Sequence, residues 1–245
     1  MPDGMEADKM ELYYQDAYLR EFKATVATRE EGVIVLSNTA FYPSGGGQPH
    51  DCGVIRWGEG EQAAVVDVRK SGGKIWHSLA GKTLPAVGET IHASLDWERR
   101  HLLMRTHTAM HILCGVIWRD YQASVTGGNM TPGRGRMDFE FAEMSRDLVD
   151  AIQHSINAEV LAGRPVRTAF LPREKAFAIP DLIRTKINLL PEHIQEVRIV
   201  EIVGLDLQAD GGTHVANTGE VGPIKIVDYK SKGAINKRLV VELEG

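Results

Sequence analysis

The sequence predicts an α+β protein in which a small β-barrel precedes an α/β domain. Three observations support this class. Residues 1–95 contain short strand-like segments separated by glycine and proline turns, residues 97–121 are typical of one helix, and a second helix with several strands follows. Short strands joined by tight turns are typical of small barrels. The character of the chain changes near residues 94–98, so we predict one domain over residues 1–96 and another over residues 97–245.

The strands of the first domain are indicated by their β-branched and apolar residues. Segments 32–42, 63–69 and 74–79 have this composition, and a further strand is expected over residues 90–96. The Ser-Gly-Gly of residues 71–73 separates two of these segments and indicates a hairpin turn.

The second domain begins with the predicted helix, which is apolar on almost every side over residues 102–118. A helix that is apolar all round is buried, so its histidines are expected to be interior. Residues 147–162 predict an amphipathic helix with Ser145 as its N-cap and Gly163 at its end. Four strands on one antiparallel sheet are expected to follow, at Val166–Leu171, Val197–Leu207, Ile224–Lys230 and Arg238–Leu243.

The composition places the chain among ordinary globular proteins, with 245 residues, 43% hydrophobic and 25% charged. It contains no apolar run long enough for a membrane helix, and its acidic first eight residues do not resemble a secretory signal. Only Cys52 and Cys114 occur, which favours the reducing cytoplasm. The net charge of −5 means that contact with RNA depends on local basic patches. No obligate protein partner is evident.

Two histidine clusters lie about a hundred residues apart in the sequence. His107 and His111 are four residues apart, which puts both imidazoles on one face of a helix, close enough to share a metal ion. His214 follows a Gly-Gly pair and could complete the ligand set. The hypothesis is a divalent-metal hydrolase; the alternative is two core histidines and a glycine-rich turn.

Several motifs then resemble one family. The segment Thr39-Ala-Phe-Tyr-Pro-Ser-Gly-Gly-Gly-Gln-Pro-His-Asp-Cys-Gly53 resembles the glycine-rich signature of alanyl-tRNA synthetase editing domains and their free-standing relatives, the alanyl-tRNA editing proteins. His107-Thr-Ala-Met-His111 matches the family's first zinc motif. Further matching blocks occur in the family's order, at Gly133–Phe139, Gly211–Gly222 and Ser231–Arg238.

The resemblance implies a fold, an activity, a cofactor and a partner. The fold is a translation-factor-like β-barrel followed by an α/β editing domain similar to that of threonyl-tRNA synthetases. The activity is hydrolysis, in trans, of the ester that joins a wrong amino acid, typically serine and sometimes glycine, to tRNA(Ala). The cofactor is one Zn²⁺ per chain, and the partner is the acceptor end of tRNA(Ala). No ATP-binding class signature occurs, so the reaction is expected to need no ATP.

The implied metal ligands are His107, His111, Asp210 and His214. The family usually has Cys where this chain has Asp210. A carboxylate ligates zinc at about 2.0–2.2 Å, although without a thiolate the site selects zinc less strongly against Mn²⁺ or Co²⁺. Alternatively, Asp210 holds a water molecule beside an ion with three His ligands, or it only starts the turn at Gly211. Cys114 is too far along the helix from His107 for both to reach one ion, although His111 and Cys114 could do so.

The resemblance also implies substrate-binding residues. Thr39 and Gln48 are expected at the amino-acid pocket, where a hydroxyl and an amide could hydrogen-bond serine; together with His107 and His111 they form the candidate catalytic set. Gly45, Gly46 and Gly47 offer backbone N–H groups that could approach a phosphate or ribose. Without the family, Thr39 is an ordinary strand residue and Gln48 a turn residue.

Basic residues are candidates for tRNA contact, or alternatively solvated surface charges. Arg134 and Arg136 lie inside a family block; the others are Arg99, Arg100, Arg105, Lys230, Lys232, Lys237 and Arg238. Two other functions stay open at this point. One is a metal hydrolase of small esters or amides, and the other is a non-catalytic tRNA-binding module whose metal site has decayed.

Overall fold

A computed structural model describes residues 11–81, 83–182, 194–233 and 235–244. The chain divides into two compact units, one ending at Leu102 and the next beginning at Leu103. The predicted domain boundary lies between residues 96 and 97, where the helix Trp97–Tyr121 begins. The division between the two compact units falls within the first turns of this helix. The first eight residues, predicted not to be a secretory signal, lie outside the described part of the chain.

The first unit contains a closed six-stranded barrel, which confirms the predicted small barrel. The elements of this unit are α1 Leu12–Gln15, β1 Glu21–Glu30, β2 Val33–Leu36, β3 Gly53–Trp57, β4 Glu61–Ser71, β5 Lys74–Ala80 and β6 Thr90–Leu95. The strand order in the barrel is β1-β2-β5-β4-β3-β6, and every pair of neighbours is antiparallel. Phe22, Ala24 and Val26 alternate with more exposed residues along β1, so one face of the strand supplies the barrel core.

Three of the predicted strands, over 63–69, 74–79 and 90–96, are confirmed as β4, β5 and β6. The hairpin turn is confirmed too, with Gly72 and Gly73 at φ 58° and 73°. The strand predicted over 32–42 is wrong beyond Leu36, because the chain leaves the barrel there and enters the glycine-rich segment. Strands β1 and β3 were not predicted.

His77 makes the stability of the first unit depend on pH. Its side chain is buried on β5, and burial lowers its pKa from 6.5 to about 4, although a hydrogen bond to the Ile34 carbonyl opposes this shift. The unfolded chain therefore binds a proton at a higher pH than the folded one. The stabilisation is complete above about pH 6.5 and is lost as pH falls toward 4.

We expect this loss to reach about 3 kcal/mol in the free energy of unfolding. Denaturant unfolding of wild type and His77→Gln between pH 4 and 7 measures it, because glutamine does not titrate there. The variant should lose less stability than wild type over this interval. Equal losses in the two proteins would contradict the prediction.

The second unit is built on helix α2 Trp97–Tyr121, in which positions 106 to 117 are all buried, as predicted. The other elements are β7 Val125–Thr131, β8 Arg134–Glu140, α3 Arg146–Leu161, β9 Val166–Pro172, α4 Arg173–Phe177, β10 Glu196–Ile202, β11 Asp206–Ala209, a 3-10 helix Thr218–Val221, β12 Ile224–Ser231 and β13 Asn236–Leu243. The strands form two antiparallel sheets, β11-β10-β9 and β12-β13-β8-β7. No helix in the described ranges is long and apolar enough to cross a membrane.

The predicted helix over 147–162 is confirmed as α3, and the Ser145 hydroxyl accepts a hydrogen bond from the Leu148 N–H at 3.2 Å. The single strand predicted over 197–207 is wrong. It is a hairpin of β10 and β11, turning at Gly204, whose φ is 76°. The expected single sheet is two sheets, because β7, β8 and the β10–β11 hairpin were not recognised in the sequence.

Candidate metal centre

Three histidines and one aspartate meet beside helix α2. His107 and His111 occupy one face of the helix with ring centroids 5.2 Å apart, and the His214 ring lies 4.3 Å and 4.8 Å from them. Asp210 completes the group: one potential ligand atom from each of the four side chains lies within 4.8 Å of the others. The structure therefore brings together all four residues that the sequence assigned to the metal, and the two helix histidines are interior as predicted.

Side chains around the cluster fix the orientation of two imidazoles. His111 Nδ1 lies 2.9 Å from the buried carboxylate of Asp206, which can only accept a hydrogen bond when ionised, so His111 carries its proton on Nδ1. His214 Nδ1 lies 3.2 Å from the Thr108 hydroxyl. With Nδ1 engaged in this way, Nε2 is the atom through which each ring could bind a metal, and in His214 this atom lies against Asp210.

Asp210 sits at the head of a tight turn. Its Oδ2 accepts a hydrogen bond from the Gly212 N–H at 2.6 Å and lies 3.0 Å from His214 Nε2. From β10, the buried guanidinium of Arg198 donates to the carbonyls of Asp210 and Gly212 at 3.0 Å and 2.9 Å. Arg198 thereby holds the backbone of the turn that presents Asp210.

Burial and charge place three of these groups, His107, His214 and Asp210, in the protonation states that a metal requires. Burial lowers the pKa of His107 to about 4, against the opposing attraction of Asp210, and lowers that of His214 well below its usual value. Burial alone would raise the pKa of Asp210, but His107, His214 and His111 outweigh it and hold the pKa well below its usual range. Neutral imidazoles and an ionised carboxylate are the metal-binding forms.

The donor set fits a divalent transition-metal ion. Three imidazole nitrogens and a carboxylate oxygen are ligands that zinc accepts, and their spacing of at most 4.8 Å is close to the span that one ion bridges with bonds of about 2.0–2.2 Å on either side. Cys114 is buried outside this cluster, so it does not replace the family's thiolate. The donors identify a candidate metal site without fixing which ion it binds.

Gly115 allows the β10–β11 hairpin to approach helix α2. A Cβ at this position would lie 2.9 Å from the Leu205 side chain and 3.1 Å from Asp206 Cβ. Four residues around the cluster were not predicted from the sequence: Asp206, Arg198, Thr108 and Gly115. Only Gly115 carried a usable signal, because a glycine in a helix interior one turn beyond His111 indicates a close approach.

Gly115→Ala is expected to lower metal affinity about 10- to 100-fold, the usual effect of disturbing a residue that orients a ligand. The added methyl displaces Leu205 and Asp206 and loosens the hydrogen bond to His111. Metal affinity is measured by competition with a chromophoric chelator. Gly127→Ala is the matched control, since its Cβ would lie in ordinary contact at 3.7 Å from Asp138. An unchanged affinity in Gly115→Ala would contradict this role.

The glycine-rich segment lies in the first unit, between β2 and β3. Gly45 and Gln48 exchange backbone hydrogen bonds of 3.1 Å and 2.9 Å across a tight turn, in which Gly46 and Gly47 have φ of 57° and 86°. The Gly45 N–H is thus used within the turn, while Gly46 and Gly47 are exposed. Gln48 is buried, and so is Thr39, whose hydroxyl contacts His77.

The candidate tRNA-contacting arginines differ in exposure. Arg134 and Arg136 lie two residues apart on β8, with side chains 51% and 39% exposed. Arg134 pairs with Glu242, and Arg136 lies 3.4 Å from Asp138. Arg100 is different: it is fully buried and ion-paired with Asp51 in the first unit, so it is neither a phosphate contact nor a solvated surface charge, the two alternatives that the sequence left open.

Comparison with known proteins assigns the chain to a class. Residues 7–99 match the family described as tRNA synthetases class II (A). Residues 197–240 match the threonyl and alanyl tRNA synthetase second additional domain. The second match contains Asp210 and His214, so the barrel-bearing unit and two of the four residues of the metal cluster are similar to aminoacyl-tRNA synthetase domains.

Relatives that match this chain over nearly its full length identify its family more specifically than the two domain matches do. Alanyl-tRNA editing protein AlaX-M of Saccharolobus solfataricus is 37% identical over 230 residues, covering 94% of this chain and 96% of that protein. The AlaX-M of Methanosarcina acetivorans is 37% identical over 240 residues, with coverages of 95% and 98%. Alanine–tRNA ligase of Korarchaeum cryptofilum is 40% identical over 218 residues, but this is 24% of the ligase. The chain belongs to the alanyl-tRNA editing protein family, as the sequence motifs predicted.

Proposed function

We propose that this protein is a metal-dependent editing hydrolase that acts in trans and cleaves the ester between a wrong amino acid and tRNA(Ala). Serine is the principal amino acid, and glycine is a second substrate. The observation that carries the proposal is the cluster of His107, His111, Asp210 and His214 in a chain of the alanyl-tRNA editing family. An action on tRNA and the presence of only two cysteines favour the cytoplasm.

The four clustered side chains hold the metal, which we take to be one zinc ion. When bound, the metal would supply Lewis-acid polarisation of the ester carbonyl and would lower the pKa of an attacking water. Asp206 and Thr108 orient His111 and His214 through their Nδ1 atoms. Arg198 holds the turn of Asp210. Because an aminoacyl ester is already activated, positioning and polarisation account for most of the required acceleration.

Other residues bind the substrate in this proposal. Thr39 and Gln48 contact the amino acid, and the exposed Gly46 and Gly47 allow close approach of ribose or phosphate. Arg134 and Arg136 contact phosphates of the acceptor end. Since acidic residues lie beside both arginines, their net attraction for RNA is modest and falls with added salt.

Deacylation of Ser-tRNA(Ala), Gly-tRNA(Ala) and Ala-tRNA(Ala), with metal content measured on the same preparation, tests the proposal. We expect wild type to release serine and glycine and to spare alanine. His107→Ala should lose both metal and activity, because one of four ligands is removed. His154→Ala is the matched control, since His154 is an exposed histidine on α3 in the same unit.

The same assay separates the two alternative functions. A small-ester hydrolase would cleave aminoacyl esters that carry no tRNA as rapidly as the charged tRNA. A non-catalytic binding module would bind tRNA and deacylate nothing, even when loaded with metal. The editing proposal fails if metal-loaded wild type releases neither serine nor glycine.

A further inference from the structure

The Thr39 hydroxyl is held by two hydrogen bonds inside the first unit. Its Oγ1 accepts from the Phe41 N–H at 3.1 Å and lies 2.9 Å from His77 Nε2 on β5. Thr39 is 2% exposed and His77 1%, so water does not compete for this contact. The arrangement fixes the rotation of the threonine side chain.

The second nitrogen of His77 determines which partner donates. His77 Nδ1 lies 3.4 Å from the Ile34 carbonyl oxygen, which can only accept a hydrogen bond. Nδ1 therefore carries the proton. Burial keeps the ring neutral, because it lowers the pKa of His77 to about 4. A neutral imidazole protonated on Nδ1 has a lone pair on Nε2, so the Thr39 hydroxyl must donate to it.

The remaining hydrogen-bonding capacity of Thr39 follows by counting. A hydroxyl has one proton and two lone pairs. The proton goes to His77 and one lone pair accepts from Phe41, which leaves a single lone pair and no proton. Toward any substrate, Thr39 can act only as an acceptor.

We propose that His77 is a positioning residue that fixes Thr39 as a hydrogen-bond acceptor, so that the protein favours amino acids whose side chain donates a hydroxyl proton. The inference rests on the proposed function, in which Thr39 contacts the amino acid. Serine satisfies the lone pair. Alanine and glycine offer no side-chain donor, so only serine gains this additional hydrogen bond.

Three variants test this role. In His77→Gln the Gln Oε1 still accepts the Thr39 proton, whereas His77→Leu removes the acceptor and frees that proton. Thr39→Val removes the hydroxyl but keeps the branched shape. We expect kcat/KM for Ser-tRNA(Ala) to fall about tenfold in His77→Leu and in Thr39→Val, and to stay near wild type in His77→Gln. Gly-tRNA(Ala) is the internal control: the two His77 variants should deacylate it at the wild-type rate, and in Thr39→Val its loss should be smaller than the loss for Ser-tRNA(Ala).

The double variant His77→Leu/Thr39→Val distinguishes positioning from general damage. If His77 acts through the Thr39 hydroxyl, His77→Leu has no further effect once that hydroxyl is absent. Additive losses, or equal losses for serine and glycine esters, overturn the role of His77. Equal losses would show that Thr39 contacts the amino group or only supports the fold.

Nitrogen-15 NMR of the histidine rings reports the tautomer of His77 in the intact wild-type protein, so this test does not depend on the activity of any variant. We expect His77 to be protonated on Nδ1, its signal being assigned by its absence in His77→Gln. Protonation on Nε2 overturns the inference. An inactive wild type overturns the proposed function, and the selectivity with it, whereas an active wild type with the opposite tautomer overturns only the role of His77.

Discussion

Replacing Asp210 with alanine is expected to lower metal affinity by more than about 100-fold and to abolish deacylation. Asp210 is the anionic member of a buried cluster whose other members are imidazoles. Its loss removes one ligand and the charge that attracts the ion, which exceeds the 10- to 100-fold effect typical of residues that only orient ligands. Metal content after dialysis against a chelator, followed by competition for Zn²⁺, measures the change.

Two further variants separate ligation from turn formation. Asp210→Asn can still accept the Gly212 N–H, so it keeps the turn but loses the charge. Asp210→Cys restores the family's usual thiolate and is expected to retain zinc while favouring softer ions such as Cd²⁺. Asp150→Ala, on the exposed surface of α3, is the matched control. Full metal content in Asp210→Ala would show that Asp210 is not a ligand.

The metal cluster was predictable because part of its geometry is local. His107 and His111 share a helix face through the 3.6-residue period, and the surrounding apolar residues predict their burial. The partners from the other motif, Asp210 and His214, came from the family resemblance. Asp206 and Arg198 were missed because nothing local in a strand indicates which distant side chain it will meet.

The strands that were not predicted escaped recognition for a different reason. In β1 the core positions are Phe22, Ala24 and Val26, and the small alanine weakens the alternating pattern that identifies a half-buried strand. Over 197–207 seven of the eleven residues are apolar, and the turn is marked by a single glycine, Gly204. Closure of the barrel and pairing of β10 with β11 depend on contacts between segments, which periodicity within one segment does not report.

Arg100 shows that the role of a residue can also depend on contacts between distant segments, which the local sequence does not report. The sequence makes Arg100 a candidate phosphate contact, yet its guanidinium is buried and donates to Asp51 and to the carbonyls of Ala17 and Ala40. Asp51 in turn accepts the Tyr42 N–H at 2.6 Å. One buried ion pair thus joins the start of helix α2 to both ends of the glycine-rich segment within the first unit.

Asp51→Ala is therefore expected to destabilise the first unit by about 3–5 kcal/mol, the usual cost of removing one partner of a buried ion pair. The Arg100 side chain is fully buried, so its charge would lose its carboxylate without gaining water. Hydrogen exchange of barrel amides in increasing denaturant measures this unit separately from the second. The Tyr42 amide should exchange first, since it loses its acceptor.

The double variant Asp51→Leu/Arg100→Met tests whether the ion pair itself stabilises the unit. Removing both charges leaves no uncompensated ion, and well-packed apolar replacements of buried pairs are often neutral or stabilising. We therefore expect the double variant to recover most of the stability lost in Asp51→Ala. It should nevertheless loosen residues 40–51, because the backbone carbonyl of Ala40 loses its donor. A double variant as unstable as Asp51→Ala would mean that the shape of the segment, and not the buried charge, determines the cost.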